Sequence, residues 1–495
     1  MKRKILSLLL ASVMIFSLIS CSSSSDGGDA TPTTQPAGTG TGTENPADTQ
    51  TGQDVSPDDA VVEETPIDLG GYEFVLISNW MDYDINFNPI AAVEENETPY
   101  YVALYERLEQ QKKDYNFTIR MNVIPIENFE QEIIALSMAG IKVADYIKTD
   151  YGRMARLYAA GVLREINAET APAIDLNDTV KWNSRITETG TFLGKVYAFN
   201  FEREVGTMVF FNKTLLEEKG CTDPYQLYNE GNWNWNEFAK LVEYMTINET
   251  GGATPDIYGL GIQEYLTMYF QIAFIYANGG KAFKEENGGF RFALLDNEAQ
   301  EALLFCKSLY DNRWVLPGQP RDVGSVWDIF ARRKVAFWLG GPGENRVFAG
   351  RMEEDEFGML PVPMGPQMDD FVTLRASPPL FCSPISVKDS DAFTSSFIFN
   401  LVSNPLPITG DPAIDDVDFD LKYNQLHDSI SYDVIKMMRE KGVTAEAEAI
   451  WAAQLQISDA IEQSTKFGET TPRAAMEAIA DMCQAAVEDF FRAPE

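Results

Sequence analysis

From Tyr72 onward the chain alternates short apolar runs with helical repeats, and this order most constrains its fold. Tyr72–Ser78 reads YEFVLIS, a run suited to a strand buried on both faces. Thr98 then stands as an N-cap, with Pro99 in the first turn of a helix that carries Val102, Tyr105 and Leu108 on its apolar stripe. Residues 117–124 read as a second strand, 126–139 as a helix stopped by Gly140, and 143–148 as a third strand. Strands separated by helices need crossover connections, and these lay the strands parallel. Ligands of such sheets sit beyond the carboxyl ends of the strands. Two loops qualify: Asn79-Trp80-Met81-Asp82-Tyr83 and Thr149-Asp150-Tyr151-Gly152. Trp80, Asp82, Asp150 and Tyr151 are therefore candidate ligand contacts, the plain alternative being exposed loop or packing roles.

The start of the chain reads as a targeting segment. Lys2, Arg3 and Lys4 precede an apolar stretch over residues 5–19, too short for a comfortable membrane span. Leu18-Ile19-Ser20-Cys21 resembles the bacterial lipobox, in which the Cys21 thiol would be acylated; an ordinary secretory signal with an incidental Cys is the alternative. Residues 22–66 are rich in Ser, Thr, Gly, Pro, Asp and Glu and cannot bury enough surface to offset chain entropy, so a disordered tether is expected. With 75 acidic against 39 basic residues the formal charge is −36, which argues against nucleic acid or an anionic membrane surface as partner. Cys221, Cys306, Cys382 and Cys483 show no C-x-x-C pairing, so zinc and redox motifs are disfavoured; free thiols and disulfides both stay open. The single His, His427, makes His-based metal sites and Ser-His-Asp catalysis poor readings, and no cofactor is expected.

The middle of the chain is the most informative. Residues 196–201 and 207–211 suit strands, a helix over 214–219 ends at Gly220, and Asn234 stands three residues before Glu237 in a capping arrangement. Trp235, Phe238, Leu241, Val242 and Met245 share one helical face. The series Gly194-Lys195-Val196-Tyr197-Ala198, then Phe211-Asn212-Lys213, then Asn234-Trp235-Asn236-Glu237-Phe238 resembles the extracellular solute-binding proteins of ABC importers, family 1, the maltose-binding protein group. Other pieces agree in order: Asp145 through Gly161-Val162-Leu163, Trp314-Val315-Leu316-Pro317-Gly318, residues 357–363, and Gly468-Glu469-Thr470-Thr471-Pro472 before Ala474-Ala475. One departs. After KVAFWL at 334–339 comes Gly340-Gly341-Pro342-Gly343-Glu344-Asn345, where the family strand opens on Gly and often leads to a sugar-stacking aromatic. Here Arg333 replaces that Gly, and Gly343 stands near the aromatic's place.

The resemblance implies a two-lobed α/β fold, each lobe a mostly parallel central sheet flanked by helices, joined by a hinge. Its expected parts are an N-terminal lobe begun by 67–198, a C-terminal lobe over 199–370, a return to the first lobe with an acidic insertion over 371–430, and C-terminal helices over 431–495. Residues 258–263 read as a strand, 265–277 as a buried helix, 297–314 as an amphipathic helix, 380–388 as a strand and 390–402 as a helix. Helices are also expected over 431–441, 445–461 and 472–492. In the insertion Asp416, Asp418 and Asp420 alternate like a calcium loop, but the sixth position lacks Gly and the twelfth is His427, so a solvated acidic face is the default.

The function implied is capture of a carbohydrate in an interlobe cleft by a monomeric, lipid-anchored extracytoplasmic protein, and delivery to the transmembrane subunits of a permease, without catalysis. Glu202 and Glu204 in the interlobe crossing, Glu344 and Asn345 after Gly343, and Trp451 in a late helix join the candidate contacts. Ion pairing or core packing is the alternative for each. Rival readings are a lipid-anchored glycan-degrading enzyme, a lipoprotein that senses rather than transports, and a binder of peptides or polyamines.

Overall fold

The computed structural model describes residues 66–79, 84, 86–88, 98–179, 181–192, 194–201, 206–262, 267–287, 289–317, 323–341, 343–352, 354–375, 379–444 and 452–490. The lipobox Cys21 and the expected tether lie outside the described residues, as do Trp80, Asp82, Glu202, Glu204 and Trp451. Nine strands build the two main sheets: β1 (Tyr72–Ser78), β2 (Phe117–Val123), β3 (Tyr146–Thr149), β4 (Ala198–Phe199), β5 (Met208–Asn212), β6 (Tyr258–Ile262), β7 (Val335–Gly340), β8 (Phe357–Pro361) and β9 (Leu380–Cys382). The first sheet has the order β2-β1-β3-β9-β4 and the second β8-β5-β7-β6.

Each sheet forms one lobe. In β1 the side chains alternate between two cores. Phe74 and Leu76 join Leu108, Ile398 and Phe399 on one face, while Val75 and Ile77 join Phe129, Ile133, Met154 and Leu157 on the other. Helices cover both faces, so an unbroken apolar run is what this strand needs. Each buried chain of that size contributes roughly 1.5–3 kcal/mol. The second lobe has one large core in which Phe210, Phe211, Trp233, Phe238, Trp338 and Phe348 are fully buried. Asn234 caps its helix Trp235–Tyr244 as expected, accepting from the backbone N–H groups of Asn236 and Glu237 at 3.0 and 3.2 Å. The four described cysteines are free thiols, three of them buried.

The sheets are less parallel than expected. β1 pairs parallel with β2 and β3, and β7 with β6, but β9 runs antiparallel to β3 and β4, and β5 antiparallel to β7 and β8. The reason is topological. β4, β5 and β9 flank segments that pass between the lobes, and such segments have no helical crossover to impose a parallel return. β9 is also shorter than the run 380–388 suggested. Pro384 follows, and the chain turns there, Val387 N–H donating to Pro384 O.

Both departures from the family pattern have a backbone cause. Arg333 holds a left-handed φ of 58°, a conformation a Gly would adopt at no steric cost. Its guanidinium is tied to Asp355 and to Glu218, the latter at 2.7 Å, and these bonds offset the strain. Gly343 has φ 90° as the N-cap of the helix Glu344–Ala349, which an aromatic there could hardly match.

Among the described residues, three segments lead from one lobe to the other. Two lie side by side: Thr207 N–H donates to Leu374 O at 2.9 Å, and Asn200 Nδ2 donates to Pro379 O. The third is the acidic insertion. It leaves the helix Ala392–Val402 of the first lobe and reaches the second-lobe core at Leu426. Its calcium-like acids are already committed. Asp418 is held by Arg439 (2.7 and 3.1 Å) and the Tyr432 hydroxyl (3.1 Å), Asp416 by Lys422, and Asp420 by Asn424 (2.7 Å) and Gln425. Among the described residues no helix is long and apolar enough to cross a membrane.

Candidate functional site

The carboxyl end of the first sheet is built on two charged anchors. In the loop after β1, Asp84 is buried and accepts from Lys148 Nζ of β3 at 2.8 Å and from the backbone N–H groups of Asn86 and Phe87 at 2.9 and 3.2 Å. After β3, Asp150 caps the helix Tyr151–Ala159 by accepting from Arg153 N–H at 3.1 Å and pairs with the Arg153 guanidinium. Tyr151, the first residue of that helix, is fully buried among the apolar residues of the first-lobe core.

The second lobe places Tyr269 opposite. Burial and then the nearby charge of Asp150 hold the Tyr269 hydroxyl well above its usual range, with Arg153 acting the other way. Asp150 and Arg153 belong to one lobe, and Tyr269 sits on the helix Thr267–Tyr276 of the other, so the lobes come near each other here. Gln454 Nε2 donates to the Tyr269 hydroxyl at 3.2 Å. Sequence reasoning missed Tyr269 because its helix is mostly apolar and reads as core. Among the described residues, this carboxylate, guanidinium, phenol and amide make a polar, partly aromatic group drawn from both lobes.

Glu344 and Asn345 open the short helix after β7. Glu344 is buried, its carboxyl accepting from Trp338 Nε1 at 2.8 Å and Trp327 Nε1 at 3.2 Å. Burial pushes its pKa from an ordinary 4.5 to about 7, against the opposing pull of both indoles and the Gly341 N–H. Asn345 is also buried and donates through Nδ2 to Gln425 Oε1 at 2.7 Å.

The raised Glu344 pKa has a stability consequence. In the unfolded chain the group loses its proton near pH 4.5, whereas the folded protein keeps it to about pH 7. Between those values the native state binds more protons, so this group makes stability fall as pH rises, by at most about 3 kcal/mol, and the loss is complete above pH 7. Glu344→Gln keeps an acceptor and cannot ionise. Urea unfolding of both proteins from pH 4.5 to 8 should show the variant gaining on the wild type as pH rises; a pH-independent difference would refute the assignment.

The chain matches the model of the bacterial extracellular solute-binding proteins over residues 94–379, more than half its length. No curated protein sequence matches it. In structure it is similar to a cyclic α-maltosyl-1,6-maltose binding protein from Arthrobacter globiformis, at 17% identity and TM-score 0.62 over 85% of this chain and 100% of that one. It is similar to UgpB of Mycobacterium tuberculosis in complex with glycerophosphocholine, at 16% identity and TM-score 0.60 over 85% and 98%. A Thermotoga lettingae ABC transporter solute-binding protein bound with α-D-tagatose gives 16% identity and TM-score 0.57 over 84% and 100%. These identities speak for the fold alone, which is two-lobed as the resemblance implied. With the family match they establish the coarse identity: the chain belongs to the bacterial extracellular solute-binding protein family.

Proposed function

We propose that this solute-binding protein captures a mono- or oligosaccharide between its lobes and delivers it to the transmembrane subunits of an ABC permease, held to the membrane by an acylated Cys21. The observation that carries the reading is the confrontation of Asp150 and Arg153 with Tyr269 and Gln454. A sugar offers hydroxyls at its edge and C–H bonds on its face. Charged and amide groups suit the first, and a phenol ring the second. Trp80, Asp82, Glu202, Glu204 and Trp451 remain proposed contacts of the same cleft, with Glu344 and Asn345 on the second-lobe side. Asp150 and Arg153 would meet the ligand from the first lobe, and closing the hinge would complete the site. The sugar-bound relatives support the ligand class, while the glycerophosphocholine complex marks a polar non-sugar solute as the rival.

The test is a thermal-shift screen of the protein against maltotetraose, α-D-tagatose, other mono- and oligosaccharides, glycerophosphocholine and a polyamine. A ligand that binds only the folded state raises Tm by mass action. A carbohydrate shift with the sugar recovered intact supports capture. Cleaved sugar means a glycan-degrading enzyme, and a shift from glycerophosphocholine or the polyamine alone overturns the sugar reading. Pull-down of permease subunits by loaded protein would separate transport from sensing.

A further inference from the structure

The acidic insertion is more than a spacer between lobes. At its first-lobe end, Arg107 donates to Val402 O, Asn404 O and Pro405 O at 2.9, 2.6 and 3.0 Å, and Lys181 Nζ donates to Asn404 Oδ1 at 2.6 Å. The short helix Pro412–Asp415 packs on the helix Pro99–Asp114 of that lobe. At its other end Asp418 is clamped by Arg439, Leu426 enters the second-lobe core, and the turn Leu421–Gln425 packs on the helix that carries Asn345. The segment is thus a strap tied at both ends, and one of its knots is the hydrogen bond to Asn345.

The chemistry of that knot has a direction. An ionised carboxylate can only accept, and Asp420 accepts from Asn424 Nδ2 and Gln425 Nε2. With its NH2 spent on Asp420, Gln425 turns Oε1 toward Asn345. Asn345 must therefore donate through Nδ2, as it does at 2.7 Å. Its Oδ1 is left over, and among the described residues no hydrogen-bond donor reaches it. Without a fixed acceptor at position 420, both amides could turn over together and Asn345 would offer NH2 instead.

We propose that Asp420 and Gln425 are positioning residues that hold Asn345 as a hydrogen-bond acceptor for a ligand hydroxyl, so that the insertion sets the polarity of the second-lobe side of the cleft. This rests on Asn345 being a ligand contact. The selectivity it confers favours solutes that present a hydroxyl donor at that point over solutes that present only an ether or carbonyl oxygen there.

Four variants test it: Asp420→Asn, Gln425→Glu, the double variant Asp420→Asn/Gln425→Glu, and Asn345→Ala. Affinity is read by calorimetry with the sugar giving the largest thermal shift in the panel, and stability of the sugar-free protein by urea unfolding. Asp420→Asn alone should weaken sugar binding roughly tenfold, the scale of one hydrogen bond, with little change in stability. Gln425→Glu alone should lower stability, because two carboxylates then face each other. In the double variant the new asparagine donates to the new glutamate, which still accepts from Asn345. The sense of the chain is preserved, and affinity should return to within about twofold of wild type and the urea midpoint to that of wild type. A purely structural role would leave the double variant binding no better than the worse single one, which overturns the proposal. If Asn345→Ala weakens binding while Asp420→Asn does not, the relay fails and the contact stands. If Asn345→Ala binds the sugar like wild type, the contact reading fails, and the stability cycle of the sugar-free protein still reports whether the orienting chain exists.

Discussion

Lys148→Met is expected to cost about 3–5 kcal/mol, because it leaves the Asp84 carboxylate buried at 2% exposure without its cation. The two backbone N–H groups that Asp84 also accepts from hold the loop's shape but bring no countercharge. The damage should extend to function, since Asp84 anchors the loop that carries Trp80 and Asp82. Chemical denaturation reads the first effect and ligand titration the second. Adding Asp84→Asn to Lys148→Met should recover a large part of the loss, since the stranded charge is then gone. A cost below about 1 kcal/mol for Lys148→Met alone would mean that the pair does not hold the loop.

The second large effect is expected at the hinge. A Cβ on Gly206 would lie 2.2 Å from Leu374 O and 2.6 Å from Leu374 C, backbone atoms of the neighbouring crossing segment. Neither can move aside as a flexible side chain would. Gly206→Ala should therefore push the two crossings apart, break the bond from Thr207 N–H to Leu374 O, and cost about 3 kcal/mol. It should also change the angle between the lobes, so a changed radius of gyration in solution scattering accompanies the loss. Wild-type stability and an unchanged scattering curve in this variant would show that the close approach is not maintained.

Much of this architecture could be read from local pattern. The runs at β1, β2 and β3, the caps at Thr98 and Asn234, and the turn at Gly140 depend on neighbours a few residues away, and the structure places them close to where the sequence suggests. What escaped depends on distant partners. The antiparallel entry of β9 is a property of the path between lobes, invisible in its own apolar residues. Arg333 looked like a break in the family pattern until Asp355 and Glu218 were seen to hold it in the left-handed region. The site was less legible than the fold. Asp150 and Asn345 have real positions near the meeting of elements, yet their partners, Tyr269 and Gln425, lie far along the chain and carry no motif. Tyr151 is fully buried, a feature its neighbourhood in sequence does not reveal.

The placement of β9 has a consequence for how the molecule comes into being. In the first sheet this strand lies between β3 and β4, yet it is synthesised only after the entire second sheet. A nascent chain emerging in order therefore displays an incomplete first lobe with unpaired edges at β3 and β4, the kind of surface that recruits wrong partners. The second sheet, whose four strands all lie between those edges and β9, can pair first, although its core is completed only by later residues such as Val434, Ile457 and Met476. Rapid secretion would thus demand that something shield the waiting edges, and mutations that slow arrival of β9 should show up as aggregation during export before they appear as any defect of the finished protein.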